Sequence, residues 1–123
     1  MIAANVLHAT ADLRATLRHI RSLLAPSGLL ILIEGTRPER WVDVTFGMTE
    51  GWWRFRDRDL RPAHPLISGE AWRGLFAEAG FSQTGSVQPP EGSQQALLLA
   101  RVPIADSVGL GRWLIVPDAR RCV

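Results

Sequence analysis

The chain begins with an apolar run and continues with an amphipathic helical pattern. Residues 1–7 (MIAANVL) form a short apolar run with no turn or helix cap before it. Such a run is typical of the end of a buried strand, so we expect the chain to begin within an element. An amphipathic helix follows, because apolar residues recur every three or four positions while arginines occupy the other face. Thr10 or Asp12 is placed to cap this helix. Its apolar positions are Leu13, Leu17, Ile20 and Leu24.

A second strand follows the turn that ends this helix. Pro26, Ser27 and Gly28 are turn residues, and residues 29–33 (LLILI) form an uninterrupted aliphatic run that Glu34 closes. Runs of this kind occur in central parallel strands, because both faces of such a strand are buried. We therefore predict a central parallel strand that is covered on both faces.

The segment 35–67 has no regular hydrophobic period but contains an aromatic cluster. Pro38 is placed to start a short helix at the beginning of the segment. The cluster comprises Phe46, Trp52, Trp53 and Phe55. Paired tryptophans often close a small core, and the other interpretation is that they form the wall of an apolar ligand site. We predict that the segment is a lid or a substrate-side insertion.

The last elements are a helix and two weaker strands. Ser68 is a good helix N-cap, and Gly80 stands where a left-handed residue ends a helix. The strands are expected around residues 82–87 and 95–102, with a turn at residues 89–92 (PPEG) between them. The pair most simply forms an antiparallel hairpin.

Two polar residues lie at the ends of the first two strands. The order strand, helix, strand, helix, hairpin predicts an α/β sheet, whose ligands lie beyond the carboxyl ends of the strands. His8 follows the first strand and Glu34 ends the second, so neighbouring strands about 5 Å apart would bring them together. A carboxylate that accepts a hydrogen bond from one imidazole nitrogen makes the other nitrogen a better base. The sequence therefore predicts a dyad suited to removing a proton.

Both residues also have a simpler interpretation. A histidine after a strand is usually a surface or capping residue, and a glutamate after an aliphatic run is often the first solvated position. His19, on the first helix, and His64, between prolines in a loop, are expected to be exposed to solvent. At this level, a structural role for His8 and Glu34 stays open beside the catalytic one.

The charge balance and the single cysteine restrict the class of protein. The chain has 14 basic and 12 acidic residues, and Asp57 and Asp59 offset the arginines of the densest basic stretch, so no nucleic-acid partner is expected. No apolar run approaches the roughly 20 residues of a bilayer span, and the first residues show no export signal. The single cysteine, Cys122, fits a reducing compartment. We expect a cytoplasmic protein without a membrane partner.

Several common site motifs are absent from the sequence. No glycine-rich loop follows a strand, and Gly109 and Gly111 precede an isolated strand expected at residues 113–116. No serine or cysteine lies in a nucleophile-elbow setting, and His and Cys are not spaced as zinc ligands. The sequence therefore predicts neither a metal site nor a nucleotide-binding loop.

Several sequence stretches together resemble the C-methyltransferase domains of type I modular polyketide synthases. They are NVLHAT (5–10), LLAPSGLLILIEGT (23–36), FGMTEGWWRF (46–55), EAGF (78–81) and SQQALLLAR (93–101). The LLAPSG turn and EAGF are common to many methyltransferases, whereas NVLHAT combined with LIEGT and TEGWWRF is much more specific. Ser27 departs from the pattern, because a glycine is more usual at this position of the turn. The similarity covers residues 3–101.

The resemblance implies an α/β fold, the C-terminal half of a class I S-adenosylmethionine-dependent methyltransferase (Rossmann-like) sheet with an antiparallel last hairpin. The glycine-rich loop and the acidic ribose ligand that hold the cofactor would belong to the other half. By resemblance, His8 removes a proton from the carbon between the two carbonyls of a β-ketoacyl thioester, and Glu34 orients His8. Ala4 and Asn5 would face the methyl donor.

The resemblance also implies partners and domain limits. The substrate would be carried on the phosphopantetheine arm of an acyl carrier protein, with Trp52 and Trp53 along its path. The missing N-terminal half or other synthase domains would be further partners. Residues 1–102 would form a partial methyltransferase domain with its insertion at 35–67, and residues 103–123 a linker and the first strand of a following ketoreductase region. We expect a synthase fragment that is inactive alone, and the alternative is a noncatalytic interaction or scaffold remnant.

Overall fold

The computed structural model describes residues 1–87 and 94–104 of the chain. The strands are β1 (Ile2–Ala4), β2 (Leu29–Gly35), β3 (Gln83–Val87) and β4 (Gln95–Arg101). The helices are α1 (Leu13–Leu23), α2 (Arg40–Thr45) and α3 (Gly69–Glu78), and short 3₁₀ helices cover Leu7–Ala9 and Glu50–Trp53. The turn expected at residues 89–92 and the strand expected at residues 113–116 lie outside the described residues.

The four strands of the described residues form one mixed sheet in the order β1-β2-β4-β3. β1 and β2 run parallel, with Ala4 opposite Ile33. β4 lies between β2 and β3 and is antiparallel to both. The predicted antiparallel pairing of the last two strands is therefore confirmed. Because β1 and β2 are parallel neighbours, their carboxyl ends meet at one edge of the sheet.

The core lies on one face of this sheet. Residues of β2 alternate between buried and partly exposed, and Leu30, Leu32 and Glu34 are the buried ones. The apolar faces of α1 and α3 pack on the same side, in one cluster with the leucines of β2 and β4. The prediction that β2 is covered on both faces is thus correct for one face only, because both of these helices pack on the same face.

β1 is more exposed than its apolar sequence suggests. It is the edge strand of the described sheet and pairs with β2 on one side only. Ile2 is 72% exposed as a result. The expectation that residues 1–7 form part of a buried strand is therefore wrong for β1 in this structure.

Local signals define the ends of the two longer helices. The Asp12 side chain accepts the backbone N–H of Ala15 at 2.8 Å and caps α1. The Ser68 hydroxyl accepts the backbone N–H of Ala71 at 3.2 Å and caps α3, as the sequence predicts. Gly80, just after α3, has the predicted left-handed backbone, with φ of 83°.

A charged side chain links α1 to α3. Arg14 of α1 donates to Glu78 of α3 at 2.9 Å and to Asp59 at 2.8 Å. These hydrogen bonds, with that to Glu78 the stronger influence, raise the pKa of Arg14 above its ordinary value. Among the described helices, none combines the length and apolar character needed to cross a membrane.

The turn before β2 contains a strained residue. Ser27 has a left-handed backbone with φ of 61°, a conformation that costs an ordinary L-residue about 1–2 kcal/mol and glycine almost nothing. The greater freedom of glycine in the unfolded chain offsets part of this difference. We expect Ser27→Gly to raise the free energy of unfolding by roughly 0.5–1 kcal/mol, measured by urea denaturation.

Replacement of a glycine at a second left-handed position, Gly80, is the matched control. An added Cβ would lie 3.3 Å from Nε of Arg21, and the backbone is left-handed there too, so Gly80→Ala should lower the free energy of unfolding. A Ser27→Gly variant that is less stable than the unaltered protein would contradict this account of the turn.

Candidate functional site

His8 and Glu34 meet at the carboxyl ends of β1 and β2. Nδ1 of His8 lies 2.6 Å from Oε2 of Glu34. The Glu34 side chain is completely buried, and that of His8 is 13% exposed. The other carboxylate oxygen, Oε1, accepts the backbone N–H groups of Val6 at 3.0 Å and Leu7 at 2.7 Å. Glu34 is therefore not the solvated strand-end residue that the simpler interpretation requires.

The contact with Glu34 determines which nitrogen of His8 carries the proton. A carboxylate only accepts hydrogen bonds, so Nδ1 of His8 is the protonated nitrogen of the neutral ring. Nε2 keeps its lone pair, and no described residue donates a hydrogen bond to it. Since His8 also lines a cavity, Nε2 is the nitrogen available to a bound molecule.

A buried arginine holds the backbone of the His8 segment. Arg61 is completely buried and donates to the carbonyl oxygens of His8 at 2.8 Å and Thr10 at 2.9 Å. Its charge is balanced by Asp57, which accepts from Nε of Arg61 at 2.6 Å and from the backbone N–H of Leu13 at 2.9 Å. Arg61 and Asp57, both in the densest basic stretch of the sequence, therefore pair with each other inside the protein.

The cavity beside His8 has a volume of about 520 Å³, within the range of small-molecule sites. Strand ends form one part of its wall, through Asn5, Gly35 and Gln95. The segment around α2 forms another part, and it contributes Trp41, Val42, Phe46 and Trp52. The segment predicted as a substrate-side insertion therefore closes the cavity next to the strand ends.

Asn5 occupies an unusual backbone conformation at this edge. It has a φ of 52°, directly after β1. Its side-chain Oδ1 accepts from Nε2 of Gln95 at 3.3 Å, and its backbone N–H donates to Ile33 at 2.8 Å. Both of these contacts hold Asn5 at the cavity wall. Ala4, the other predicted cofactor residue, is exposed at the end of β1 and is not part of that wall.

The two tryptophans have different surroundings. Trp52 is buried in the cavity wall, with its ring 5.2 Å from that of His8 in an edge-on arrangement and stacked on Phe46 at 5.7 Å. Trp53 is 41% exposed, donates its indole N–H to Gly47 at 2.7 Å and is not part of the wall. The structure thus brings Trp52, and not Trp53, to His8.

Sequence reasoning missed His64. The expectation of solvent exposure is wrong, because its side chain is 18% exposed and Nε2 lies 2.9 Å from Oδ1 of Asp43. Its ring is edge-on to Trp52 at 6.0 Å and to Trp53 at 6.2 Å. Asp43 is 21 residues away in a segment without periodicity, so spacing gave no signal for this pair. His19 is exposed, as expected.

Metal ligands do not cluster in the described part of the chain. Residues 1–87 and 94–104 contain no group of three His, Cys, Asp or Glu side chains that could hold an ion.

Comparison with known proteins places the chain in a family. Residues 1–84 match the family described as a methyltransferase domain. The chain belongs to this methyltransferase family. It is also 42% identical to the polyketide synthase ThaQ of Burkholderia thailandensis, over 98% of this chain and 5% of that protein. It is 49% identical to the reducing polyketide synthase ppsB of Aspergillus oryzae, over 72% of this chain and 4% of that protein.

Solved methyltransferase structures share the fold. The CurJ carbon methyltransferase has a TM-score of 0.77 and 48% identity, and the match covers 83% of this chain and 28% of that one. The C-methyltransferase domain of the citrinin polyketide synthase has a TM-score of 0.75 and 33% identity, over 84% of this chain and 27% of that one. The fold is thus that of class I methyltransferases, and this chain spans less than a third of either solved domain.

A change at Glu34 tests which nitrogen of His8 carries the proton. In Glu34→Gln, the amide oxygen can still accept the N–H groups of Val6 and Leu7, but the amide nitrogen would donate to His8. We expect the proton of the neutral His8 ring to move from Nδ1 to Nε2. Nitrogen-15 NMR of histidine-labelled protein distinguishes the two tautomers. His64 serves as the internal control, and an unchanged His8 tautomer would show that Glu34 does not determine it.

Proposed function

We propose that this chain supplies the substrate-activating side of a polyketide synthase C-methyltransferase. In this proposal His8 is the general base. It removes a proton from the carbon between the two carbonyls of a β-ketoacyl thioester. The observation that carries it is the 2.6 Å contact between His8 and the buried Glu34 beside a cavity. The relatives that are polyketide synthases and carbon methyltransferases support this choice of substrate class.

The proton transfer follows from the tautomer of His8. The C–H bond of the acidic carbon breaks, its proton forms a bond to Nε2, and its electron pair stays on the substrate, delocalised over both carbonyl groups. The ring becomes an imidazolium with protons on both nitrogens. Glu34 stabilises that charge through its contact with Nδ1, because the carboxylate is buried and its other oxygen is held by Val6 and Leu7.

Among the described residues, we propose that those at the cavity edge meet the reacting end of S-adenosylmethionine. When bound, the cofactor supplies an electrophilic methyl group to the carbon that His8 deprotonates. Asn5, in the cavity wall just after β1, is the residue we propose to face that methyl group. The Glu34 side chain is completely buried and already accepts three hydrogen bonds, so it is not accessible to a ribose. We therefore propose that the chain alone does not complete methyl transfer.

The carrier of the substrate is also part of the proposal. A thioester on the phosphopantetheine arm of an acyl carrier protein would place its acyl chain against Trp52, whose ring lies in the cavity wall. Trp53, which is more exposed, would contact the arm outside the cavity. Other synthase domains would supply the remaining cofactor contacts.

Deprotonation can be tested without the methyl donor. The acetoacetyl thioester of N-acetylcysteamine, a short mimic of the carrier arm, exchanges its C2 protons in D₂O, and proton NMR follows the rate. We expect the protein to accelerate this exchange by roughly 10²–10⁴-fold over the same concentration of imidazole, as a positioned base does. His8→Ala should return the rate to that of buffer. His19→Ala, an exposed histidine on α1, is the matched control and should change nothing.

Two results would overturn the proposal. If His8→Ala exchanges the C2 protons as fast as the unaltered protein, His8 is not the base. No methylated thioester is expected when S-adenosylmethionine is added to the chain alone, and formation of that product would refute the proposed dependence on other domains.

One observation favours a second candidate, a noncatalytic interaction module. β1 pairs on one side only within the described sheet, and Ile2 is 72% exposed on it. An apolar edge strand promotes association. Size-exclusion chromatography with light scattering should then show self-association or complexes with synthase domains, and Ile2→Lys should weaken them. A stable monomer that binds no synthase domain would exclude this role.

A further inference from the structure

A second histidine–carboxylate pair contacts the same tryptophan as His8. Nε2 of His64 lies 2.9 Å from Oδ1 of Asp43, and Nδ1 of His64 accepts the backbone N–H of Leu66 at 3.1 Å. A nitrogen that accepts a hydrogen bond carries no proton, so His64 is a neutral ring protonated on Nε2. This is the opposite tautomer to that of His8, and it uses both ring nitrogens for structural contacts.

The pair ties α2 to the loop that precedes α3. α2 contains no buried residue, so burial of apolar surface contributes little to holding the helix in place. The contact between Asp43 of α2 and His64 is therefore a main attachment, together with the stacking of Phe46 on Trp52. Because residues in and next to α2 line the cavity, the position of this wall depends on His64.

The indole of Trp52 is held by ring contacts and by no hydrogen bond among the described residues. Its indole N–H is buried and donates to no described residue. Its ring touches His8, Phe46 and His64 at centroid distances of 5.2, 5.7 and 6.0 Å. With no hydrogen bond to fix the indole, a displacement of α2 and Phe46 allows Trp52 to shift against His8.

We infer that His64 is a positioning residue for His8 and acts through Trp52. The inference rests on the proposed role of His8 as a base. His64 holds α2 through Asp43, Phe46 at the end of α2 stacks on Trp52, and Trp52 contacts the imidazole of His8 edge-on. Small displacements of a reacting group are costly in rate, and a shift of about 1 Å reduces rates by about a hundredfold.

Two substitutions separate this role from a general structural one. In His64→Gln, the amide oxygen can accept from Leu66 and the amide nitrogen can donate to Asp43, so both hydrogen bonds are retained. In His64→Asn, the shorter side chain cannot reach both partners. The His8 ring-proton shifts, which the ring current of Trp52 influences, and the C2-proton exchange of the acetoacetyl thioester are measured for each variant. The methyl resonances of Leu17 and Leu98, both in the core, report on intact folding.

We expect His64→Asn to move the His8 ring-proton shifts and to lower kcat for exchange about tenfold or more, with a smaller change in KM. His64→Gln should keep kcat within about threefold of the unaltered protein. Unmoved His8 resonances in His64→Asn would overturn the inference, as would equal losses in the two variants.

The NMR shifts test the positioning even if the unaltered protein exchanges no C2 protons. Absence of exchange by the unaltered protein would refute the proposed function of His8, whereas unmoved His8 shifts would refute only the role of His64. A tautomer measurement on His64 adds a further check, because finding the proton on Nδ1 would remove the hydrogen bond from Leu66 on which the argument depends.

Discussion

The buried carboxylate of Glu34 is the interaction on which the rest of the site depends. A buried charge costs several kcal/mol unless hydrogen bonds compensate it. Here the compensation comes from Val6, Leu7 and His8, which all belong to the segment after β1. The conformation of this segment is thus linked to the stability of the sheet, because any arrangement that releases these donors leaves the charge uncompensated. The imidazole is oriented by the same requirement that keeps the fold intact.

A second buried charge holds the same segment from the other side. Arg61 binds the carbonyl oxygens of His8 and Thr10, and Asp57 joins Arg61 to the first turn of α1. Glu34 therefore accepts hydrogen bonds from N–H groups of the segment, while Arg61 donates hydrogen bonds to its carbonyl groups. Breaking a buried pair of this kind typically costs about 3–5 kcal/mol, far more than an exposed pair such as Arg54 and Glu50. Glu34 and Arg61 are thus complementary supports of the segment that carries His8.

The sequence predicts those features that depend on neighbours in the chain or on strand order. Asp12, Ser68 and Gly80 act within a single helix end, and the meeting of His8 with Glu34 follows from two parallel strands. By contrast, Arg61 reaches the carbonyl groups of His8 and Thr10, and His64 reaches Asp43, across segments without a hydrophobic period, so no spacing indicates these contacts. The prediction for β2 was incomplete for a related reason: an aliphatic run indicates that a strand is apolar on both faces, but which elements cover each face depends on the tertiary arrangement.

In the proposed function, activation of the substrate and binding of the methyl donor are physically separable. The groups that orient His8 lie on β2, on the segment after β1 and around Arg61, all within this chain. None of these contacts uses a glycine-rich loop or a ribose ligand. The tautomer and position of His8 therefore depend on the register of β1 against β2, whereas the proposed contacts with the cofactor lie mostly elsewhere. The geometry of His8 is thus supported by Glu34 and Arg61 within this chain, independently of the contacts that we propose to hold the methyl donor.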